Sequence, residues 1–246
     1  MCDYVGQDKR WAQAKDDRHV RPDREGSVTY TVLARDRRGG LIGAATASRS
    51  LAVGNAVITV DPRVGAVASQ AWTNRELRGF LLERLRAGVA AADAVEMIGE
   101  QDDRPELRQV AALAWEGAPG ARTGAQTSGW AGHLVLPDAV VAGNLLTHAE
   151  VLGAMATALS SAPAAPDAVE FARHLVAVLA GGEQAGGDLR GKQSAAVVVA
   201  RAEGGIVVDL RVDDHPDPVT ELARLVELRA SDAADLSRPG ALPPPR

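Results

Sequence analysis

The chain has 246 residues, with 27 lysines and arginines against 32 acidic residues, a formal charge of −5, and 46% apolar but only 3% aromatic side chains. This balance excludes a general nucleic-acid binder, which presents a concentrated basic face, and no apolar run approaches the ~20 residues of a membrane helix. Cys2 stands alone, so neither an intrachain disulfide nor a multi-cysteine zinc site can form, and without the apolar core of a secretory signal a soluble, cytoplasmic protein is expected.

Residues 1–27 hold six acidic and six basic side chains with no helical or strand period. They are expected to be disordered or to precede the natural start of the protein. A β-branched strand follows at Val28–Arg35. It turns at Arg37-Arg38-Gly39-Gly40 and returns as Leu41–Ser48, a β-hairpin. A second pair is predicted at Asn55–Val60 and Val64–Gln70. Asn74 suits the N-cap of a helix over Arg75–Ala87, with another over Ala91–Gln101. Strands are then expected at Arg108–Trp115, Ala121–Thr127 and Ala139–Gly143.

Helices are predicted over Ala149–Ser160 and Pro166–Leu179, the second opened by Pro166-Asp167 and closed by Gly181-Gly182. Ser194–Arg201 and Gly205–Leu210 read as a further hairpin. A last helix spans Pro218–Leu228, and the proline-rich tail from Ser231 is not expected to fold. Strands in bursts with helices in pairs predict an α+β domain over 28–230, built from two mainly antiparallel sheets covered by helices.

Several blocks resemble one known family. They are Ala47-Ser48-Arg49 with Leu51-Ala52-Val53-Gly54, Val64 to Ala71, Trp130-Ala131-Gly132-His133 and Gly143-Asn144-Leu145-Leu146. Ala185 to Ala196 and Asp209 to Pro216 complete the set. In order and with short gaps from Val28 to Leu228, they resemble the domain-of-unknown-function 1028 family. That family is similar in fold to the N-terminal-nucleophile (Ntn) hydrolases, which implies a four-layer αββα sandwich. Against the family pattern, Ala142 precedes Gly143-Asn144 where Gln is usual, a departure that bears on substrate identity rather than on fold.

The resemblance implies an amidohydrolase acting on a small amide, with Thr29 as nucleophile. A valine codon can initiate translation. Val28 would then be read as methionine and trimmed, leaving a threonine whose hydroxyl and α-amine are nucleophile and base in one residue. Autocleavage is a second route, and Gly26-Ser27 makes Ser27 a minor candidate. Asn144 is the expected oxyanion donor. Ser48 and Arg49 are expected at the strand end beside Thr29, where Arg49 would hold a substrate carboxylate or lower the pKa of the amine. His133 and Asp188 are further substrate-binding candidates, Asp188 on the glycine-rich loop Gly186–Ser194 together with Arg190.

That loop does not match a P-loop. The group Asp209, Asp213, Asp214, His215 and Asp217 lacks EF-hand or zinc spacing and reads as a strand exit and helix cap. Neither metal nor cofactor is expected. The expected partner is a small-molecule substrate, with homo-oligomerisation by analogy to other small Ntn-type domains. The competing reading is a non-catalytic binding or scaffold protein that keeps the Ntn fold.

Overall fold

The computed structural model describes residues 29–236. The expectations for residues 1–27, for Val28 and for the last part of the tail lie outside the described residues. The first hairpin forms β1 (Thr29–Asp36) and β2 (Leu41–Ser48). Asp36 turns it, its Oδ1 accepting the N–H groups of Arg38 at 2.9 Å and Gly39 at 3.1 Å. Gly40 follows at φ +60°, a conformation that suits a residue without a Cβ.

The described strands form two antiparallel sheets, crossed by six helices in chain order. The smaller sheet runs β3 (Ile58–Asp61), β4 (Gly65–Ala71), β5 (Arg108–Ala114) and β6 (Gly120–Thr123). The larger has β1 and β2 at its centre. On the β1 side lie β8 (Ala139–Leu146) and then β7 (Trp130–Leu136), and on the β2 side β9 (Ser194–Arg201) and then β10 (Gly205–Val212). The helices are α1 (Val53–Val57), α2 (Glu76–Arg86), α3 (Ala91–Glu96), α4 (Glu150–Ser161), α5 (Ala168–Gln184) and α6 (Pro218–Leu236).

Alternation along the central strands sorts the apolar side chains into separate cores. On β1, Tyr30, Val32 and Ala34 join a cluster with Met155, Leu175, Leu179 and Leu222 of α4, α5 and α6. Leu33 faces the other way, into a cluster between the sheets with Ile42, Ala68, Leu113 and Val140. A third cluster packs Val67, Val110 and Ala112 against Leu77, Leu81 and Val95 of α2 and α3. Many of the buried residues are alanine, which lets these layers approach closely.

Several sequence expectations require correction. The predicted strand Asn55–Val60 is the short helix α1 followed by β3. Gly54 permits this, because a Cβ there would lie 2.3 Å from Ala196 Cβ on β9. Strand β7 was not predicted, since its half-buried run Trp130–Leu136 alternates weakly. The predicted Ala121–Thr127 ends at Thr123, and a Cβ on Gly124 would come 2.2 Å from Glu106 O.

Helix α5 runs through Gly181-Gly182 to Gln184. Gly182 is not a stop there but a packing residue, where a Cβ would lie 2.8 Å from Met155 Cγ. Helix α6 continues to Leu236, past the expected domain end at 230. The Asp167 cap is as expected, accepting Val169 and Glu170 N–H at 2.9 Å each, whereas α2 starts one residue later than expected with Arg75 at its N-cap, and Asn74 Oδ1 accepts Glu76 N–H at 3.0 Å from the preceding turn.

Candidate active site

The layer between the sheets is apolar along most of its length and changes character at one end. Continuing the inward faces of Leu33, Ala44, Ala142, Ala68, Ala111 and Ala196 by two residues along their strands, and by four on β1 and β2, brings in only polar side chains. They are Thr31 and Thr29 on β1, Thr46 and Ser48 on β2, and Asn144, Gln70, Gln109 and Ser194 on the remaining four. All eight are at most 2% exposed. Strand register assembles them: Thr29 is opposite Ser48 on one side and Asn144 on the other, and Gln70 is opposite Gln109.

The hydrogen bonds give this cluster one orientation. Gln109 Nε2 faces the carbonyls of Gly132 at 2.9 Å and Gly143 at 3.0 Å, with Thr123 Oγ1 at 2.8 Å. Carbonyls only accept, so Gln109 must present its Oε1 to the opposite side. There it receives Gln70 Nε2 at 2.7 Å and Asn144 Nδ2 at 3.2 Å. Both amides thereby aim their N–H groups toward the start of β1, each 3.4 Å from Thr29 O. Gln70 Oε1 accepts from Thr31 Oγ1 at 2.6 Å, which makes Thr46, 2.8 Å from that hydroxyl, the donor to it.

Thr29 lies at the head of this network, its Oγ1 donating to Ser48 Oγ at 3.4 Å. Ser48 Oγ also accepts Ser50 N–H at 3.1 Å. The following loop is pinned by Ser194 Oγ, which donates to Ser50 O and accepts Val53 N–H at 3.0 Å. Three non-glycine residues among those described have positive φ: Ala52 at 54°, Ala71 at 70° and Leu145 at 49°. Ala71 follows Gln70, Leu145 follows Asn144, and Ala52 closes the loop after Ser50. Such conformations cost about 1–3 kcal/mol each and concentrate at functional sites.

Arg49 and Asp188 form the outer rim. The Asp188 carboxylate bridges Arg49 N–H and Arg190 N–H, each at 2.8 Å, tying the glycine-rich loop to the end of β2. Burial raises the Asp188 pKa above the ordinary carboxylate range, against these two N–H groups and the Arg190 charge. The Arg49 guanidinium donates to Gln193 Oε1 at 2.8 Å. Two large apolar side chains stand exposed on this rim, Leu51 at 65% and Leu189 at 64%.

His133 reaches the cluster through an intermediary. Its Nδ1 lies 2.8 Å from Thr123 Oγ1, which accepts from Gln109. Burial lowers the His133 pKa and favours the neutral imidazole. The acidic group around His215 serves the fold: His215 Nδ1 accepts Asp217 N–H at 3.0 Å, and Asp209 pairs with Arg211 at 2.8 Å. Among the described residues no cluster of three or more His, Cys, Asp or Glu side chains is placed to hold a metal ion.

Sequence reasoning did not single out Gln70 and Gln109. Their signal was present, as each is a lone carboxamide in an apolar strand, but its meaning required knowing that β4 and β5 pair in register.

Residues 29–222 match the model of a family of unknown function, DUF1028. The chain belongs to this family. A crystal structure of a DUF1028 protein from Silicibacter pomeroyi is similar to it at 34% sequence identity with a TM-score of 0.76, over 86% of this chain and 94% of that one. No curated protein matches the chain. The DUF1028 match begins at Thr29, the first residue of the network, and spans the six candidate site residues.

Proposed function

We propose that this DUF1028 protein is an amidohydrolase of the N-terminal-nucleophile type, with Thr29 as nucleophile. One observation carries the reading: Thr29 lies at the polar end of the layer between the sheets, opposite Ser48 on β2 and Asn144 on β8. The stacking of helices, sheet, sheet and helices around three cores supports it, as this is the layer order of the αββα sandwich. The family match beginning at Thr29 supports it further.

In this reaction Thr29 Oγ bonds to the amide carbonyl carbon while the Thr29 α-amine takes the hydroxyl proton. The amine's pKa of ~8 suits it to that task near neutral pH. Asn144 Nδ2, now 3.4 Å from Thr29 O, would turn one N–H to the developing oxyanion. The C–N bond then breaks, the departing nitrogen takes the proton from the ammonium, and water hydrolyses the ester to release the acid. Ser48 holds the hydroxyl side of Thr29. Arg49, at the rim, faces a carboxylate on the substrate.

The binding-protein reading has one observation in its favour. Thr29 is 0% exposed, and in a chain that retains Val28 its nitrogen is a peptide nitrogen with no basicity. Intact mass and N-terminal sequencing of protein purified from its own host separate the two. A chain beginning at Thr29 that hydrolyses a small amide, and loses about 10³-fold or more in rate on Thr29→Ala, is the expected result. Retention of Val28, or unchanged hydrolysis by Thr29→Ala, would overturn it.

A further inference from the structure

Behind Thr29, on the helix-facing side of the larger sheet, lies a chamber of about 120 Å³ lined by Tyr30, Ser48, Glu183, Asp188 and Lys192. It is well below the roughly 300–1,000 Å³ of sites for drug-sized ligands and suits a small head group. Tyr30, only 3% exposed, forms part of its wall. Glu183 Oε2 is buried and unbonded, although Oε1 of the same carboxylate holds Lys192 Nζ at 2.7 Å. An unmatched buried acceptor is costly, and Glu183 Oε2 beside this cavity points to a ligand that donates.

The charges favour a cation. The lining carries the carboxylates of Glu183 and Asp188 against one cation, Lys192, which Glu183 at 2.7 Å shares with Asp217 at 3.2 Å, while Arg190 Nη2 stands 3.6 Å from Asp188. Burial and then the negative charges of Glu183 and Asp188 raise the Tyr30 phenol above its ordinary pKa, so the hydroxyl remains neutral and sits in a negative potential. Gly186 and Gly187, which border it, run at φ +118° and +55°.

We infer that the chamber is a subsite for an aliphatic primary ammonium group, held by Glu183 Oε2 and the Tyr30 hydroxyl. Ser48 lines the chamber and also touches Thr29 Oγ1 at 3.4 Å. If Thr29 is the nucleophile, the amide substrate therefore carries an amine close to its scissile bond. This consequence rests on the nucleophile reading, whereas binding of the ammonium does not.

The test is a titration of the 246-residue protein with ethylammonium, followed by NMR, with propionate as the anionic control and circular dichroism to verify folding of each variant. Saturable ethylammonium binding is expected, weakened about tenfold or more by Glu183→Gln and several-fold by Tyr30→Phe, with no binding of propionate. Absence of saturable binding would overturn the subsite, as would equal affinity in folded variants or tighter binding of propionate. Should Glu183→Gln fail to fold, Tyr30→Phe decides alone. Ammonium binding by a protein that proves inactive sinks only the nucleophile reading. Amide hydrolysis lost on Thr29→Ala, without ammonium binding, sinks only the subsite.

Discussion

At the scale of single residues, Gln109 has the largest structural share in the site. Its carboxamide crosses from the smaller sheet to carbonyls of β7 and β8, and its oxygen sets the direction of both Gln70 and Asn144. Leucine would fill a similar space but leave several buried donors and acceptors unmatched, each costing about 1–3 kcal/mol. Gln109→Leu is therefore expected to lower stability in urea unfolding by about 3 kcal/mol, since part of the network can relax. A loss below about 0.5 kcal/mol would show that the amides do not depend on it. The same residue shows the limit of reading a sequence: a glutamine in an apolar strand is visible, but its five partners come from four other strands.

At the scale of elements, the entry to β5 is fixed by a buried ion pair rather than by strand propensity. Asp102 accepts from Arg108 Nε at 2.8 Å, Asn74 Nδ2 at 2.7 Å and Arg104 N–H at 2.9 Å, while Arg108 also donates to Trp72 O. Burial opposes ionisation of Asp102, but Arg108, Asn74 and the Arg104 N–H outweigh it and hold its pKa at about 2. A carboxylate depressed on folding stabilises the protein fully above its unfolded pKa of ~3.9, and loses that contribution as pH falls toward 2. Urea unfolding between pH 5 and pH 2 should thus show about 2 kcal/mol less acid destabilisation in Asp102→Asn than in the wild type. An unchanged pH profile would remove Asp102 as the cause. Asp188 acts with opposite sign, because its raised pKa makes its ionised form a cost to folding.

At the scale of the whole molecule, three separate cores join the two sheets to each other and to the helices, and the core between the sheets also carries the candidate site at one end. Leu113 is fully buried in that central core, whereas Leu51 on the rim is 65% exposed. Leu113→Ala should cost about 2–5 kcal/mol through lost burial and a cavity, and Leu51→Ala within about 0.5 kcal/mol of none. Thermal unfolding of the pair checks this. Comparable losses would mean that the rim leucine is covered in the native protein.

The sequence by itself determined the local order: the first hairpin and the last, the Asp167 cap, the family, and the strand that carries Thr29. These follow from turn chemistry, two-residue alternation and capping groups, which act over a few neighbouring residues. It did not determine the path of α5 through Gly181-Gly182, because a glycine that ends a helix and one that admits Met155 look the same in one dimension. Nor did it reveal Gln70, Gln109 and the chamber under Tyr30. Those were decided by the register of β4 on β5 and by the packing of α5 beneath β1, since a hydrogen bond between residues dozens of positions apart exists only once the sheets have stacked.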